Sequence, residues 1–429
     1  MKEYLNPKKN LWTSLVKRPS FDSSTINDSI DDIFNIVKDS GDEGVRLLTK
    51  KYDNIELENL KVEEFEIENS INYIDDILKE SIDLAFKNIY KFHKSQLIQN
   101  NKIETSHGVL CWQEKKPIDS VGFYIPGGSA PLFSTVLMLG IPAMIAGCKN
   151  ITICTPPSVD GKVNKIILYV AKLCNINKVC LAGGAQAIAA MTFGTNSIPK
   201  VSKIFGPGNQ YVTAAKIKSL QFGTAIDMPA GPSELLVVAD DSANASFIAS
   251  DLLSQAEHGS DSQVVFVSLS KSLIKKVKSQ IEIQKTGLSR VNLINASILN
   301  SKIIYFENEY NAIDFINEYA PEHYIICVKN EDKFVNKINN AGSVFIGNYS
   351  PESAGDYASG TNHTLPTNGY AKQYSGVNLD SFLKTITFQK ISKTGLCGIS
   401  KAIETMASAE GLEAHKNAIS IRTKELLDE

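Results

Sequence analysis

Hydrophobic residues recur with helical spacing through the first quarter of the chain. Between residues 26 and 100, apolar positions return every three or four residues, which predicts amphipathic helices. The repeat includes Ile30, Ile33, Phe34 and Val37. Residues 1–24 also carry apolar side chains, but so short a segment cannot bury them alone and is predicted to be an arm that packs on another surface. Residues 102–116 alternate between apolar and polar positions, as strands do.

From residue 119 onward, short apolar runs alternate with helical segments. This alternation predicts parallel sheets with right-handed crossovers. The predicted strands are 121–125, 151–154, 179–182, 203–205 and 235–239 in a first α/β run, then 263–268, 303–306, 324–328 and 343–346 in a second. The apolar stretch 131–148 is interrupted by polar residues and Pro142, so it predicts a buried helix instead of a membrane span. A strand at 383–391 and helices from 399 follow.

Three predicted strands run into glycine loops that precede helices. These loops are residues 124–129, 183–186 and 206–209. Backbone amides at a helix N-terminus bind phosphates, so the loops indicate a nucleotide site. None of the loops matches GxGxxG, because Tyr211 stands at the third glycine position of the nearest match. Each loop alone is equally consistent with a tight turn.

Composition narrows the class of protein. A chain of 429 residues is expected to form two or more domains, and 44 basic against 47 acidic residues leave no positive field for nucleic acid or an anionic membrane. Small-molecule chemistry is therefore expected. Seven cysteines without a CxxC pair, together with the absence of a signal-like apolar core in residues 1–20, predict a cytoplasmic protein with free thiols. Cys148 and Cys154 are either nucleophiles near a glycine loop or small buried side chains.

Four of the six histidines lie in the second half of the chain, inside runs of small, acidic or turn-forming residues. They are His258, His323, His363 and His415. Gln255 and His258 lie three positions apart at the end of an apolar helix that begins near residue 245, so they share one face, and Gly259 is a typical helix end. Zinc and manganese accept donors of these types, and one metal site gathered from four distant segments would explain them. The alternative is a solvated pair at a helix end.

Glu322 and His323 stand together at the start of a predicted strand. Their side chains are expected to point in different directions, so that one removes a proton from a substrate while the other handles water. A surface Glu–His pair is the alternative. Asp356 and His363 fall in a long loop rich in Gly, Ser and Thr, which indicates function or disorder.

Several long runs resemble the histidinol dehydrogenase family almost from end to end. They include VGFYIPGGSAPLFSTVLML, GGAQAIAA, KIFGPGNQYV, IDMPAGPSELLV, SDLLSQAEHG, APEH, SPESAGDYASGTNHTLPT and AEGLEAHKNA. The resemblance implies zinc ligands at Gln255, His258, Asp356 and His415. It implies NAD contacts at Tyr124, Gln186 and Asn209. It implies substrate contacts at Ser233, His323, His363, Glu410 and the zinc ligands.

The resemblance also implies a reaction and an assembly. The expected reaction is a four-electron oxidation of L-histidinol to L-histidine by two NAD through an aldehyde. His323 is then the base, Glu322 activates water, and one zinc ion per subunit holds the substrate. The expected assembly is a homodimer in which the C-terminal segment, with Glu410 and His415, reaches the partner's site.

The fold class predicted overall is α/β, with two parallel-sheet, incomplete Rossmann-like domains, a small N-terminal arm and a C-terminal helical extension. The predicted boundaries are 1–24 for the arm, 25–115 with 236–375 for the zinc and catalytic domain, 116–235 for the NAD domain, and 376–429 for the extension. Two other functions remain open. A zinc hydrolase in which Glu322 activates metal-bound water would act without NAD, and a two-lobed binding protein would hold a ligand without turnover.

Overall fold

The structure is a computed structural model that describes residues 1–19, 23–97, 101–127 and 131–428. Two compact units emerge from its contacts. The first unit comprises Met1–Ser95 and Ile118–Phe382, and the second unit comprises Gln96–Pro117 and Leu383–Glu429. Among the helices in the described ranges, none combines the length and the apolar character that crossing a membrane requires.

Strands and helices alternate through most of the chain. The strands are β1 (Lys2–Leu5), β2 (Ile103–Ser106), β3 (Val109–Pro117), β4 (Ser120–Tyr124), β5 (Asn150–Thr155), β6 (Lys178–Leu181), β7 (Lys203–Phe205), β8 (Ala225–Ile226), β9 (Glu234–Ala239), β10 (Gln263–Ser268), β11 (Lys302–Tyr305), β12 (His323–Cys327), β13 (Ser343–Ile346) and β14 (Leu383–Ile391). The helices are α1 (Lys9–Leu15), α2 (Ser23–Asp53), α3 (Glu64–Asn69), α4 (Asp76–Lys94), α5 (Phe133–Ala146), α6 (Lys165–Leu173), α7 (Gly184–Phe193), α8 (Gln210–Ser219), α9 (Ala245–Ala256), α10 (Lys271–Lys285), α11 (Val291–Asn300), α12 (Glu309–Tyr319), α13 (Glu331–Val335), α14 (Glu352–Tyr357), α15 (Lys393–Ala409) and α16 (Glu413–Asp428).

Five parallel strands form one sheet of the first unit, in the order β6-β5-β4-β7-β8. Its inner strands are apolar on both faces because helices cover both sides of a parallel sheet. The N-terminal helices join this core: Phe34 on α2 packs edge-on against Phe193 on α7 at 5.7 Å. The predicted boundaries instead group residues 25–115 with the zinc domain, and those boundaries remain a prediction.

Six parallel strands form the other sheet of the first unit, in the order β1-β11-β10-β9-β12-β13. The N-terminal arm supplies the edge strand β1, and Trp12 behind it is buried against Phe306 and Phe315. Strand β9, assigned from sequence to the first α/β run, lies in the middle of this second sheet. Its backbone pairs with β10 on one side and β12 on the other, which fixes that position.

The second unit contains a three-stranded antiparallel sheet in the order β14-β3-β2. Nine residue pairs join β14 to β3, from Leu383 opposite Pro117 to Ile391 opposite Val109. Trp112 stacks on Phe388 across this ladder at 5.4 Å. Helices α15 and α16 pack on each other in the same unit.

The α/β prediction with two parallel sheets is confirmed. All nine predicted strands from 121 to 346 appear within one residue of their expected ends, because each is a short apolar run between turn residues, and most of these runs are buried. The predicted buried helix at 131–148 is α5, whose residues 134–143 are all buried. Strands β1 and β8 were not predicted, since both are short and largely exposed and therefore lack a buried apolar run.

Candidate active site

Two adjoining cavities lie within the first unit. The larger cavity, of about 860 Å³, lies at the carboxyl ends of β4, β5, β6 and β7. The smaller cavity, of about 300 Å³, lies at the amino ends of β9 and β12 and the end of α9. Pro126, Gly208 and Asn209 line both cavities, so the two adjoin at these residues.

The smaller cavity brings together seven residues that the sequence singles out. They are Ser233, Gln255, His258, Glu322, His323, Asp356 and His363. Four separate chain segments supply them. Three are among the four segments from which the sequence predicts a gathered metal site, and the fourth predicted segment, residues 410–415, lies in the second unit.

His323 begins β12 and is buried. Its Nδ1 lies 3.6 Å from Oε2 of Glu322 and 3.6 Å from Oε1 of Glu352, while its Nε2 lies 3.5 Å from Oδ1 of Asp356. Burial alone would lower the pKa of His323, but the carboxylates of Glu352 and Glu322 raise it well above its usual value. The imidazole is therefore enclosed by negative charge.

Glu322 is fixed at the amino edge of the sheet. Its Oε2 accepts a hydrogen bond of 2.8 Å from the backbone amide of Glu234, which belongs to the neighbouring strand β9. The two neighbouring side chains are expected to point in different directions, yet they lie close together. Glu322 precedes the strand, and its carboxylate turns back toward His323. Burial raises the pKa of Glu322.

Asp356 lies on a helix, whereas the sequence places it in a loop. Helix α14 carries Glu352 in its first turn and Asp356 four residues later, so both carboxylates project from one face. Gly355 lets this helix lie close to Phe345, because a side chain at Gly355 would collide with the Phe345 ring.

Helix α9 begins at Ala245, as predicted, and ends at Ala256, two residues before His258. The chain still makes one further turn, because the His258 amide donates to the Gln255 carbonyl at 3.3 Å. Gln255 is fully buried, and neither its Oε1 nor its Nε2 has a hydrogen-bond partner. A buried amide without partners is costly and indicates a missing ligand.

His363 holds the segment that follows α14. Its Nδ1 donates to the Asp356 carbonyl at 2.9 Å, since a carbonyl can only accept. Its Nε2 then accepts from the Thr135 hydroxyl at 3.2 Å. Burial lowers the pKa of His363, which agrees with a neutral ring. His363 therefore lines the cavity as a neutral side chain whose two nitrogens are already engaged.

The donor set fits a metal ion. Ligand atoms of His258, Glu352 and Asp356 lie within 4.8 Å of one another, and Gln255 lines the same cavity. Imidazole nitrogen, carboxylate oxygen and amide oxygen are donors that zinc accepts. The unpartnered Gln255 amide and the excess of carboxylates around His323 are both features that a cation would satisfy.

Glu352 is the site residue that sequence reasoning missed. An acidic residue four positions before Asp356, separated from it by small residues, is the pattern that predicts two carboxylates on one helical face.

Glu410 and His415 lie in the second unit. Glu410 lies between α15 and α16, His415 lies in the first turn of α16, and both side chains are exposed.

The larger cavity contains all three predicted NAD contacts. Tyr124, Gln186 and Asn209 line it, one after each of three parallel strands. Gly206 has φ 125°, and a side chain there would overlap the Tyr124 carbonyl oxygen, so the loop needs glycine. Of the predicted loop 124–129, Gly128 and Ser129 lie outside the described residues.

The cysteines near these loops are poorly suited as nucleophiles. Cys154 is fully buried in β5. Burial raises the pKa of the Cys148 thiol to about 11, so the reactive thiolate is scarce near neutral pH. Both side chains act as small apolar groups in the core.

A parallel α/β unit with glycine loops under one cavity and a histidine–carboxylate cluster in the next has the architecture of a dehydrogenase. The family model described as histidinol dehydrogenase matches residues 16–423. The chain belongs to the histidinol dehydrogenase family, as its sequence runs predict.

Curated relatives and a solved structure agree with this assignment. The chain is 52% identical over 426 residues to histidinol dehydrogenase of Bacteroides fragilis, covering 99% of this chain and 100% of the relative. It is 49% identical over 416 residues to the chloroplastic histidinol dehydrogenase of Arabidopsis thaliana, covering 96% and 89%. A crystal structure of histidinol dehydrogenase from Elizabethkingia anophelis superposes with a TM-score of 0.96 at 52% identity, covering 99% of this chain and 98% of that one.

Proposed function

We propose that this protein oxidises L-histidinol to L-histidine with two molecules of NAD. The observation that carries the proposal is the adjacency of the two cavities: a cavity over glycine loops shares Pro126, Gly208 and Asn209 with one that holds an imidazole, carboxylates and metal donors. A hydride donor in the smaller cavity is then within reach of a nicotinamide at the shared boundary. Membership of the family supports the same reaction.

The reaction needs two hydride transfers and one addition of water. In the first step the substrate hydroxyl gives its proton to a base and its carbon gives a hydride to NAD, which yields histidinaldehyde. Water then adds to the aldehyde. The hydrated carbon gives a second hydride to a second NAD, and proton loss leaves the carboxylate of histidine.

His323 is the base in this proposal, and Glu322 activates the water. Nε2 of His323 lies 3.5 Å from Oδ1 of Asp356. With Asp356 bound to zinc as proposed below, Nε2 is available to a substrate hydroxyl. The Glu322 carboxylate lies on the Nδ1 side of the ring, where it both orients the imidazole and is placed to accept a proton from water. Ser233 lines the cavity as a substrate contact, and His363 completes the wall beside Asp356.

Gln255, His258, Asp356 and, from the second unit, His415 are the proposed zinc ligands, and Glu352 belongs with them by position. When bound, zinc would hold substrate nitrogens and offset the negative charge around His323. The protein side chains fix the substrate between this centre and the nicotinamide, which is a positioning role.

A homodimer is part of the proposal. Glu410 and His415 are exposed in their own unit, as expected of side chains that act in a partner's site. Their substrate and metal contacts are proposed on the resemblance alone. A cytoplasmic location is proposed from the cysteine pattern and the N-terminal residues.

The test is an assay of NADH formation from L-histidinol by the purified protein. Two NADH and one histidine should form for each histidinol consumed. Product formation without NADH would support the hydrolase alternative, and tight binding without turnover would support the binding protein. The glycine loops and the cavity above them favour the dehydrogenase, because neither alternative requires them.

A further inference from the structure

The larger cavity is almost devoid of charge. Among its described lining residues there is no lysine, arginine or histidine, and Asp53 is the single ionisable acid. The remaining lining is apolar, aromatic, amide or hydroxyl in character, with contributions from Tyr52, Ile55, Pro156 and Val159. Phosphate groups bound here must therefore rely on backbone amides of the glycine loops.

The position of Asp53 disfavours an ionised carboxylate. It is the last residue of α2, where the helix dipole disfavours a negative charge. Its Oδ2 is buried and has no hydrogen-bond partner, and a side chain added at Gly183 would lie 3.5 Å from that atom. Burial raises the pKa of Asp53. The fold thus holds an unsatisfied carboxylate beside a glycine loop, facing a ligand cavity.

The junction of the cavities sets the direction of a dinucleotide. The nicotinamide must lie near Pro126, Gly208 and Asn209, because these residues border the smaller cavity as well. Asp53 and Ile55 line the larger cavity and not the smaller one, and we place the adenosine end of the dinucleotide beside them. NAD and NADP differ only there, by a phosphate on the adenosine 2′-oxygen.

We propose that Asp53 accepts hydrogen bonds from the adenosine ribose hydroxyls and so makes the site specific for NAD over NADP. A ribose diol supplies the donors that the carboxylate lacks. A 2′-phosphate offers no such donors and brings negative charge toward Asp53 with no described cation in the lining to pair with it. The inference rests on the proposed function, since it assigns specificity within the same dinucleotide site.

Wild-type protein provides the first measurement. We compare kcat/KM with histidinol for NAD, for NADP, and for NAD that lacks the adenosine 2′-hydroxyl. Loss of a hydrogen bond to a charged group lowers kcat/KM by about 10- to 100-fold, so the deoxy analogue should be that much poorer than NAD. NADP should be poorer still.

Two variants then separate the hydrogen bond from the charge. Asp53→Ala should lose about 10- to 100-fold with NAD and clearly less with the deoxy analogue, because the contact to the 2′-hydroxyl is already absent there. Asp53→Asn keeps an acceptor and removes the charge, so it should gain roughly tenfold with NADP. Asp39→Asn, an exposed aspartate on the same helix, should match wild type with all three cofactors.

The outcomes distinguish the two proposals. If wild type forms no NADH from histidinol, the proposed function fails. If wild type is active but accepts the deoxy analogue as well as NAD, or if Asp53→Ala loses equally with both, Asp53 is not a ribose contact and this inference is overturned. The wild-type comparison alone decides the point should either variant fail to fold.

Discussion

Glu322 and His323 are adjacent in the chain, yet the Glu322 Oε2 lies 3.6 Å from His323 Nδ1, while Nε2 on the opposite side of the ring lies 3.5 Å from Oδ1 of Asp356. The Glu322 carboxylate is held there by the amide of Glu234. The two groups therefore face different parts of the smaller cavity although they touch each other. This arrangement allows one to serve the substrate hydroxyl and the other a water molecule.

Replacing each of the two residues should affect the half-reactions differently. Glu322→Gln should slow the conversion of histidinaldehyde to histidine far more than the conversion of histidinol to aldehyde, because water enters only in the second. His323→Asn should slow both. General-base losses of roughly 10² to 10⁴-fold make the contrast measurable. With NAD in excess, single-turnover NADH formation from histidinol should split into two phases for Glu322→Gln, the second being slowed.

An exposed glutamate in the bend after β11 provides the control. Glu307→Gln should retain both phases at wild-type rates. If Glu322→Gln slows the two phases equally, its separate role in the water step is wrong.

Removal of the metal should abolish turnover. A chelator should inactivate the protein, and added zinc or manganese should restore it, because His258, Asp356 and Glu352 place ligand atoms within 4.8 Å of one another, and the buried Gln255 amide beside them has no hydrogen-bond partner. His258→Asn should retain less metal, as measured by elemental analysis, while the exposed His107→Asn should retain the wild-type amount. A fully active protein that contains no metal would show that these residues are not a metal site.

Most of the scaffold could be predicted from local sequence patterns, and the site could be predicted only in part. Buried strands such as β9 are continuous apolar runs, so their ends were predicted within a residue, yet the sheet to which β9 belongs depends on pairing with β10 and β12, which no local pattern encodes. His258 lies past the helix end and was still found, because one further turn preserves its spacing from Gln255. Glu352 was missed because its proximity to His323 arises from tertiary packing.

The buried ion pair between the arm and the six-stranded sheet should be important for stability. Arg18 Nε donates to Glu234 Oε2 at 2.5 Å, and the side chains are only 7% and 1% exposed. Tyr319 donates to the same oxygen at 3.0 Å. Glu234→Gln leaves Arg18 charged and unpaired, so we expect a loss of about 3 to 5 kcal/mol in the free energy of unfolding, measured with urea.

The exposed pair of Lys9 and Asp314 is the matched control, because it also links the N-terminal segment to the body of the first unit. Its side chains are 68% and 54% exposed. Asp314→Asn should cost about 1 kcal/mol or less. Equal effects of the two substitutions would mean that the Arg18 pair does not contribute through its burial.

Lys302 should give stability a specific pH dependence. Burial, and then the nearby charge of Arg18, lower its pKa from 10.5 to about 8. The folded state therefore holds fewer protons than the unfolded state between these values, so this residue makes stability rise with pH across that window. Below pH 8 the cost of burying the charge is fully present.

Lys302→Met should remove this cost. At pH 7 the variant should be more stable than wild type by at most about 3 kcal/mol, reduced by about 1 kcal/mol for the lost hydrogen bond to the Lys17 carbonyl. Its advantage should shrink as pH rises toward 10.5. Urea unfolding at several pH values measures the difference, with the exposed Lys329→Met as control. A stability difference that is independent of pH would contradict the lowered pKa.

The last prediction concerns the proposed action of His415 in a partner's site. His323→Asn and His415→Asn should each be inactive alone. When their subunits exchange, a mixed dimer with a two-fold axis collects both lesions in one site and none in the other. Random pairing makes about half of the dimers mixed, so activity should return to about a quarter of wild type. If the C-terminal segment served its own chain, every site would keep one lesion and no activity would return. Exchange is verified by a tag on one variant, so a lack of rescue would assign His415 to its own subunit.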